Sequence, residues 1–304
     1  MTTDQKELIV LLGEFYRRQK SNPNTKWTWG NIAKTMGMSS EWLLSWRQGK
    51  QKNGKTDMIV AEFLNSQEQE EENKKFKIDF KMTKAADLVF DTLNFAWATN
   101  QMCAVVSRAG YGKTFSLCEY QRRHKETLII EARVTQQTHM LLYELAEKVG
   151  ANKMNASDFI FRRVVAKLRL NPALLVFDEA QFYRYNTLET IRRIHDQANC
   201  PVVLFGSYSL YDQLVGKKVK DFDQLLSRII RRELPELDAE DVKLLLEDNF
   251  KDELNDKIIN KLLEMCQGSA RMLIKNIHLA QTMFEQERVS FEQCQKAHAF
   301  LLAA

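Results

Sequence analysis

Between the apolar run Ala104–Val106 and the helical pattern Thr114–His124 the chain reads Ser107-Arg-Ala-Gly110-Tyr111-Gly112-Lys113-Thr114-Phe115. No other stretch restricts the fold as tightly. A glycine-rich turn from buried strand to helix lets backbone N–H groups curl inward around an anion. The helix that follows aims its positive N-terminus at the same point. The segment matches the phosphate-binding pattern GxxxxGK[ST], with Ser107 where the first glycine stands. A serine with negative φ meets that turn. Lys113 is placed to reach β- and γ-phosphates, and the Thr114 hydroxyl to hold Mg²⁺. Candidate nucleotide contacts are therefore Ser107, Gly110, Tyr111, Gly112, Lys113, Thr114 and Phe115. A glycine-rich turn with no ligand is the plainer alternative.

A second segment tells against that alternative. Leu174-Leu-Val-Phe177 is a buried strand whose end delivers Asp178 and Glu179 to the sheet edge. Asp178 is suited to hold Mg²⁺ through water, and Glu179 to orient or deprotonate an attacking water. ATP hydrolysis is the expected chemistry. The tetrad Asp178-Glu-Ala-Gln181 also occurs in helicases, but these need a second domain of the same kind, and the chain after residue 237 is too short and too helical.

Short apolar runs at Ala104–Val106, Leu128–Glu131, Ala173–Phe177 and Val202–Phe205 alternate with helical patterns at Thr114–His124, Gln137–Val149, Ser157–Leu170 and Leu188–Gln197. This alternation predicts an α/β fold with a parallel sheet covered on both faces. Strand signals stop near Leu237. Helices are expected at Ala239–Asn249, Asn255–Cys266 and Ala270–Gln286, with a fourth opened by the capping box Ser290-Phe-Glu-Gln293. With 11 glycines and 4 prolines in 304 residues, long helices are expected and a many-turned β sandwich is not. No apolar run approaches the roughly 20 residues that cross a bilayer, and the first residues do not make a signal peptide. Five scattered cysteines without a CxxC pair argue against a disulfide framework or zinc site, so the cytoplasm is the expected compartment, with no membrane partner.

The formal charge of +4 is unevenly spread. Ten bases oppose six acids up to residue 64, so the remainder is about neutral. This basic unit reads as helix-turn-helix. Ala33 allows two helices to cross closely, Gly37 permits the tight turn, and Ser39 or Ser40 caps the second helix. Leu43 and Trp46 point into the small core. Arg47, Lys50, Lys52 and Lys55 are candidates to meet DNA phosphates. A helical bundle that binds only protein remains open. Charged run Gln67–Lys77 reads as a linker or a solvated helix end. The expected division is a helix-turn-helix domain at 1–64, a linker at 65–79, an α/β ATPase core at 80–236 and a helical lid at 237–304.

Three further positions complete the pattern. Strand Val202–Phe205 ends in Gly206-Ser207, where a polar side chain would face the γ-phosphate. Gly268-Ser-Ala-Arg271 places an arginine at a helix start, suited to report nucleotide to the lid. Leu225-Leu-Ser-Arg228-Ile-Ile-Arg231-Arg232 sets arginines beside what reads as an apolar helical face, from which Arg228 would reach a neighbouring subunit's ATP. Their order after the two nucleotide motifs is that of AAA+ ATPases.

On these residues the chain resembles the Mu B-type transposition target-selection ATPases, AAA+ proteins of phage Mu and Mu-like elements related to TnsC-type transposition regulators. The resemblance runs through Ile32-Ala33 to Gly37, Gly110 to Thr114, Asp178-Glu-Ala180, Leu226-Ser-Arg228-Ile229, and Gly268 with Arg271. Members typically carry Asn where this chain has Ser207 and Gly where it has Ser107. The resemblance implies an AAA+ core with a helical lid and a lambda-repressor-like N-terminal domain. It also implies ATP-dependent assembly as a filament or ring on double-stranded DNA, largely without sequence preference. Delivery of that DNA to a DDE transposase, whose contact stimulates hydrolysis, is implied as well. Arg133 and Thr135, after the second strand, stand where related filament ATPases face DNA; Lys217, Lys218 and Lys220 form a second candidate patch. Two alternatives remain: an ATP-switched regulator whose helix-turn-helix binds one operator, and a chain that binds ATP without useful turnover.

Overall fold

The computed structural model describes residues 3–20, 27–50, 54–75, 79–151, 156–215 and 229–303. The chain divides into two units, Met1–Lys77 and Ile78–Ala304.

In the first unit, helices α1 (Thr3–Lys20), α2 (Trp29–Thr35), α3 (Ser40–Arg47) and α4 (Gly54–Lys75) enclose a core of their own. Thr28 caps α2 and Ser39 caps α3, each accepting a backbone N–H from three residues on. Gly37 takes φ 68° in the turn between them. Ile32, Ala33, Leu43 and Trp46 are buried together. Trp46 is fully buried, and its indole N–H is satisfied by Asp57 Oδ1 at 2.7 Å. The charged run expected as a linker or helix end continues α4 without a break to Lys75. Its Gln, Glu and Lys residues are good helix formers, so charge there does not interrupt the helix.

The second unit is built on a five-stranded parallel sheet: β1 (Met102–Val106), β2 (Thr127–Glu131), β3 (Leu174–Asp178), β4 (Val202–Gly206) and β5 (Ile229–Glu233), in the order β2-β3-β4-β1-β5. Strands β1, β3 and β4 are buried on both faces, as crossover helices on either side require. Cys103, Val105, Leu174, Val176, Val203 and Phe205 pack against α5 (Lys84–Thr99) and α6 (Lys113–Arg123). Their alternate neighbours, among them Ala104, Leu175, Phe177 and Leu204, pack against α7 (Thr138–Lys148), α8 (Ser157–Leu170), α9 (Tyr185–Ala198) and α10 (Tyr208–Val215). Four further helices follow: α11 (Ala239–Leu246), α12 (Asp256–Cys266), α13 (Ala270–Phe284) and α14 (Phe291–Ala303), around a separate core containing Val242, Ile259, Leu273, Ile277 and Cys294. At the start of α14, Ser290 N–H bonds Gln293 Oε1 at 2.8 Å and Gln293 N–H bonds Ser290 Oγ at 3.4 Å.

One element differs in kind from the sequence reading. Residues 229–232, taken as part of a helical face, are strand β5, paired in register with β1 from Met102–Ile229 to Val106–Glu233. Only Ile229 and Ile230 pack on the two sheet faces. Two apolar residues followed by Arg-Arg-Glu carry no alternation, and at an edge the pairing with β1 decides the conformation.

Candidate functional site

In a parallel sheet whose connections reverse direction, ligands bind beyond the carboxyl ends of the strands. The phosphate loop leaves β1 at that edge, and β3 and β4 end beside it. Gly110 and Gly112 take φ of 89° and 86°, the left-handed region that a side chain disfavours. Gly112 is the N-cap of α6, so the unpaired N–H groups of the first turn open into the loop. A Cβ on Gly110 would also lie 2.3 Å from Ser269 Oγ. The loop therefore needs glycine there for both conformation and space.

Lys113 lies in the floor of the loop, 7% exposed. Its ammonium donates to Ser107 Oγ at 2.8 Å, Arg108 O at 3.1 Å and Ser107 O at 3.4 Å. Ser107 is thus used: its hydroxyl accepts from the lysine. Burial pushes the Lys113 ammonium below its usual range, while the charges of Glu179 and Asp178 oppose that shift. Thr114 Oγ1 donates to Asp178 Oδ2 at 2.7 Å, and Asp178 Oδ1 accepts the Glu179 N–H at 2.9 Å. Burial pushes the Asp178 carboxyl above its usual range; the two hydrogen bonds pull it back, and the Glu179 charge adds to the rise. Glu179 itself takes φ 53°, the left-handed region in a residue with a full side chain.

A cleft of about 470 Å³ opens over the loop. Its walls include Phe80, Tyr111, Lys113, Glu179, Arg271 and Ile274. Gly110, Gly112, Thr114 and Phe115 also line it, and Phe115 packs against Phe80 with ring centroids 5.6 Å apart. The helical lid docks directly on the loop. Arg271 N–H donates to Gly110 O at 3.0 Å, and Ser269 Oγ donates to the same oxygen at 3.4 Å. Tyr111 hydroxyl reaches Glu236 Oε1 at 2.8 Å. The strap before α5 is tied to the lid by Lys81 with Glu247 and Asp248, by Lys84 with Asp238 and Glu240, and by the Lys84 N–H with buried Asp241.

The residues fit a nucleotide and its metal. The glycine cradle, the helix N-terminus and Lys113 suit phosphate; a hydroxyl and a carboxylate in contact are the hard oxygen donors that Mg²⁺ takes alongside phosphate oxygens. Among the described residues no group of three or more His, Cys, Asp or Glu side chains gathers to hold an ion by itself.

Of the residues singled out from sequence, Lys113, Thr114, Glu179 and Arg271 come together at the cleft, with Asp178 and Ser107 directly behind. Ser207 stands at the end of β4, where its hydroxyl pairs with Ser209 Oγ at 2.6 Å and its N–H is bound by Gln181. Arg133 and Thr135 are exposed beyond β2, with Arg133 paired to Glu144 at 3.2 Å. Arg47 lies over the Trp29 ring at 3.3 Å; Lys50 follows α3. Arg228, Lys217, Lys218, Lys220 and Lys52 lie outside the described residues. Sequence reasoning missed Phe80, Glu236, Ser269 and Gln181. Ser269 and Gln181 stood inside quoted motifs; nothing local marked Phe80 or Glu236.

Residues 98–214 match the AAA domain family. Over 156 residues, half of this chain, the sequence is 27% identical to the Mu-like prophage FluMu DNA transposition protein B of Haemophilus influenzae and 26% identical to the ATP-dependent target DNA activator B of Escherichia phage Mu. These matches cover 54% and 50% of the relatives, so the chain spans about half the length of the curated relatives it matches. Among solved structures, the ORC2 protein of Aeropyrum pernix superposes with a TM-score of 0.52 at 17% identity, covering 71% of this chain and 66% of that one. A Walker-type ATPase of Pyrococcus abyssi superposes with a TM-score of 0.54 at 17% identity, covering 75% and 76%. Residues 98–214 thus form a domain of the AAA type, and over half its length the chain is similar to the B proteins of Mu-type transposition.

Proposed function

We propose that the chain is an ATP-dependent, DNA-binding AAA+ ATPase of DNA transposition. The observation that carries the reading is the contact of Thr114 with Asp178 beside buried Lys113, beneath a cleft that Arg271 of the lid completes. Similarity to an activator of target DNA points this ATPase towards transposition.

In the proposed mechanism the loop N–H groups and Lys113 bind the β- and γ-phosphates. The buried ammonium is set free of its three carbonyl and hydroxyl acceptors to do so. Thr114 and Asp178 are the residues that would hold Mg²⁺, which when bound would neutralise charge on the phosphate oxygens. Glu179 orients the attacking water and accepts its proton. Arg271 brings lid charge to the phosphates and, through the Gly110 carbonyl, couples lid position to loop conformation. Arg228 is proposed to complete the site of a neighbouring subunit, and Ser207 to respond to the γ-phosphate from the end of β4.

In this reading the ATP-bound chain assembles as a filament or ring on double-stranded DNA with little sequence preference. It then presents that DNA to a DDE transposase, whose contact stimulates hydrolysis. Arg133, Thr135, the lysines at 217, 218 and 220, and Arg47, Lys50 and Lys52 are the candidate DNA contacts. Phosphate-dominated binding of this kind weakens steeply with salt. Electron microscopy of the full chain with a non-hydrolysable ATP analogue and random duplex tests the reading. Continuous coating of the duplex is expected; one discrete footprint on one sequence would instead support an operator-binding regulator.

A further inference from the structure

The turn after β3 contains a residue that the mechanism above leaves unused. Gln181 lies in the 3₁₀ turn Ala180–Phe182, two residues beyond Glu179, and its amide is engaged at both ends. Nε2 donates to Glu179 Oε2 at 2.5 Å, and Oε1 accepts the Ser207 N–H at 3.2 Å. The partners dictate this orientation. A carboxylate only accepts and a backbone N–H only donates, so the flipped amide would lose both bonds.

The end of β4 is shaped around that amide. A Cβ on Gly206 would come within 2.6 Å of Gln181 Oε1 and 3.0 Å of the Leu210 side chain. Gly206 is not in the left-handed region, so glycine serves here by leaving space. The same residue anchors the phosphate loop: Gly206 pairs with Val106 in register, and its carbonyl accepts the Ser107 N–H at 3.2 Å. Because the Ser207 hydroxyl is turned to Ser209, the β4 end meets Gln181 through its backbone. The carboxylate of Glu179 is therefore tied, through one amide, to the end of β4, whose Gly206 carbonyl also anchors the first residue of the phosphate loop.

Resting on the ATPase reading, we infer that Gln181 is the positioning residue of the hydrolytic step. Its amide holds one oxygen of the Glu179 carboxylate and leaves the other to accept the proton of the attacking water. The backbone of Glu179 is constrained by its φ, but its side-chain torsions are not, and the Gln181 bond supplies the missing restraint. Placement of a catalytic base, rather than nucleotide affinity, is what this contact controls.

The test is steady-state ATP hydrolysis by the full chain with Mg²⁺ and duplex DNA, together with calorimetric binding of a non-hydrolysable ATP analogue. Gln181→Ala is expected to lower kcat about 10- to 100-fold, up to the cost of misplacing a catalytic group by about 1 Å, while KM and analogue affinity stay within about threefold. Gly206→Ala should displace the amide and lower kcat by a similar factor. In the Gln181→Ala background the same glycine change should cost several-fold less than in the unaltered chain, because the contact with Gln181 is already gone and only the milder approach to Leu210 remains. Turnover by Gln181→Ala within twofold of the unaltered chain, while Glu179→Gln is inactive, overturns the proposal and leaves the ATPase reading intact. A parallel loss of analogue affinity, or fully additive effects of the two changes, also overturns it. Absence of turnover in the unaltered chain, or full turnover in Glu179→Gln, removes the ATPase reading and the proposal with it.

Discussion

The phosphate-loop edge of the sheet and the core of the N-terminal helices bury polar groups for opposite ends. In the N-terminal unit the buried Trp46 N–H meets the carboxylate of Asp57, buried Gln5 donates to the Trp46 carbonyl, and the rest of the core is mostly apolar. That contact stabilises its helices. At the sheet edge an ammonium and a carboxyl are buried against their preference for water, and Glu179 is held at positive φ. These features make the domain less stable than an apolar edge would, and they persist because ligand charge would relieve them. Local stability and local function are therefore separable by substitution.

The largest expected effect is at Lys113. Lys113→Ala should abolish measurable ATP binding by calorimetry and, if nucleotide drives assembly, DNA coating as well; full DNA binding without nucleotide would break the coupling. Next, Glu179→Gln should keep analogue affinity and lower kcat by about 10²–10³-fold, the scale of general-base catalysis. In the other region, Trp46→Phe should lower the stability of the N-terminal helices by about 2 kcal/mol through the lost charge-assisted hydrogen bond and lost volume. Native-state hydrogen exchange reads this unit separately, and ATP turnover should be unchanged.

The smallest effect sharpens the contrast most. Asp178 has a folded pKa above its unfolded value, so the native state binds the proton more tightly, and stability falls as pH rises from the usual carboxylate range through the raised value. Asp178→Asn should therefore raise the Tm of the nucleotide-free protein at neutral pH by a few degrees, with about 2–4 °C expected per kcal/mol for a body of this size. The gain should shrink on acidification, and hydrolysis should fall. A Tm lowered at neutral pH would show that the Thr114 and Glu179 N–H bonds outweigh burial.

How much was legible beforehand follows from where the forces act. Strands β1 to β4 were readable because burial on both faces demands runs such as Leu174–Phe177. The phosphate loop was readable because positive φ demands Gly110 and Gly112. Edge strand β5 was not, since Ile229 and Ile230 alone meet the core and the hydrogen bonds to β1 leave no trace in composition. Helix α5 passed unassigned although it covers one sheet face, and α4 ran on through a charged segment that looked like an interruption.

Sequence alone determined the loop that grips phosphate, the paired carboxylates at a strand end, the capped helices and the uneven charge. Each is a demand of local backbone or burial, expressed within a few consecutive residues. Only the tertiary structure decided that Ser269 and Arg271 close on Gly110, that Phe80 walls the cleft, and that Gln181 links Glu179 to β4. Those contacts join residues brought together by the crossovers of a parallel sheet and by the docking of the lid. Their partners are set by packing, and spacing along the chain carries no record of it.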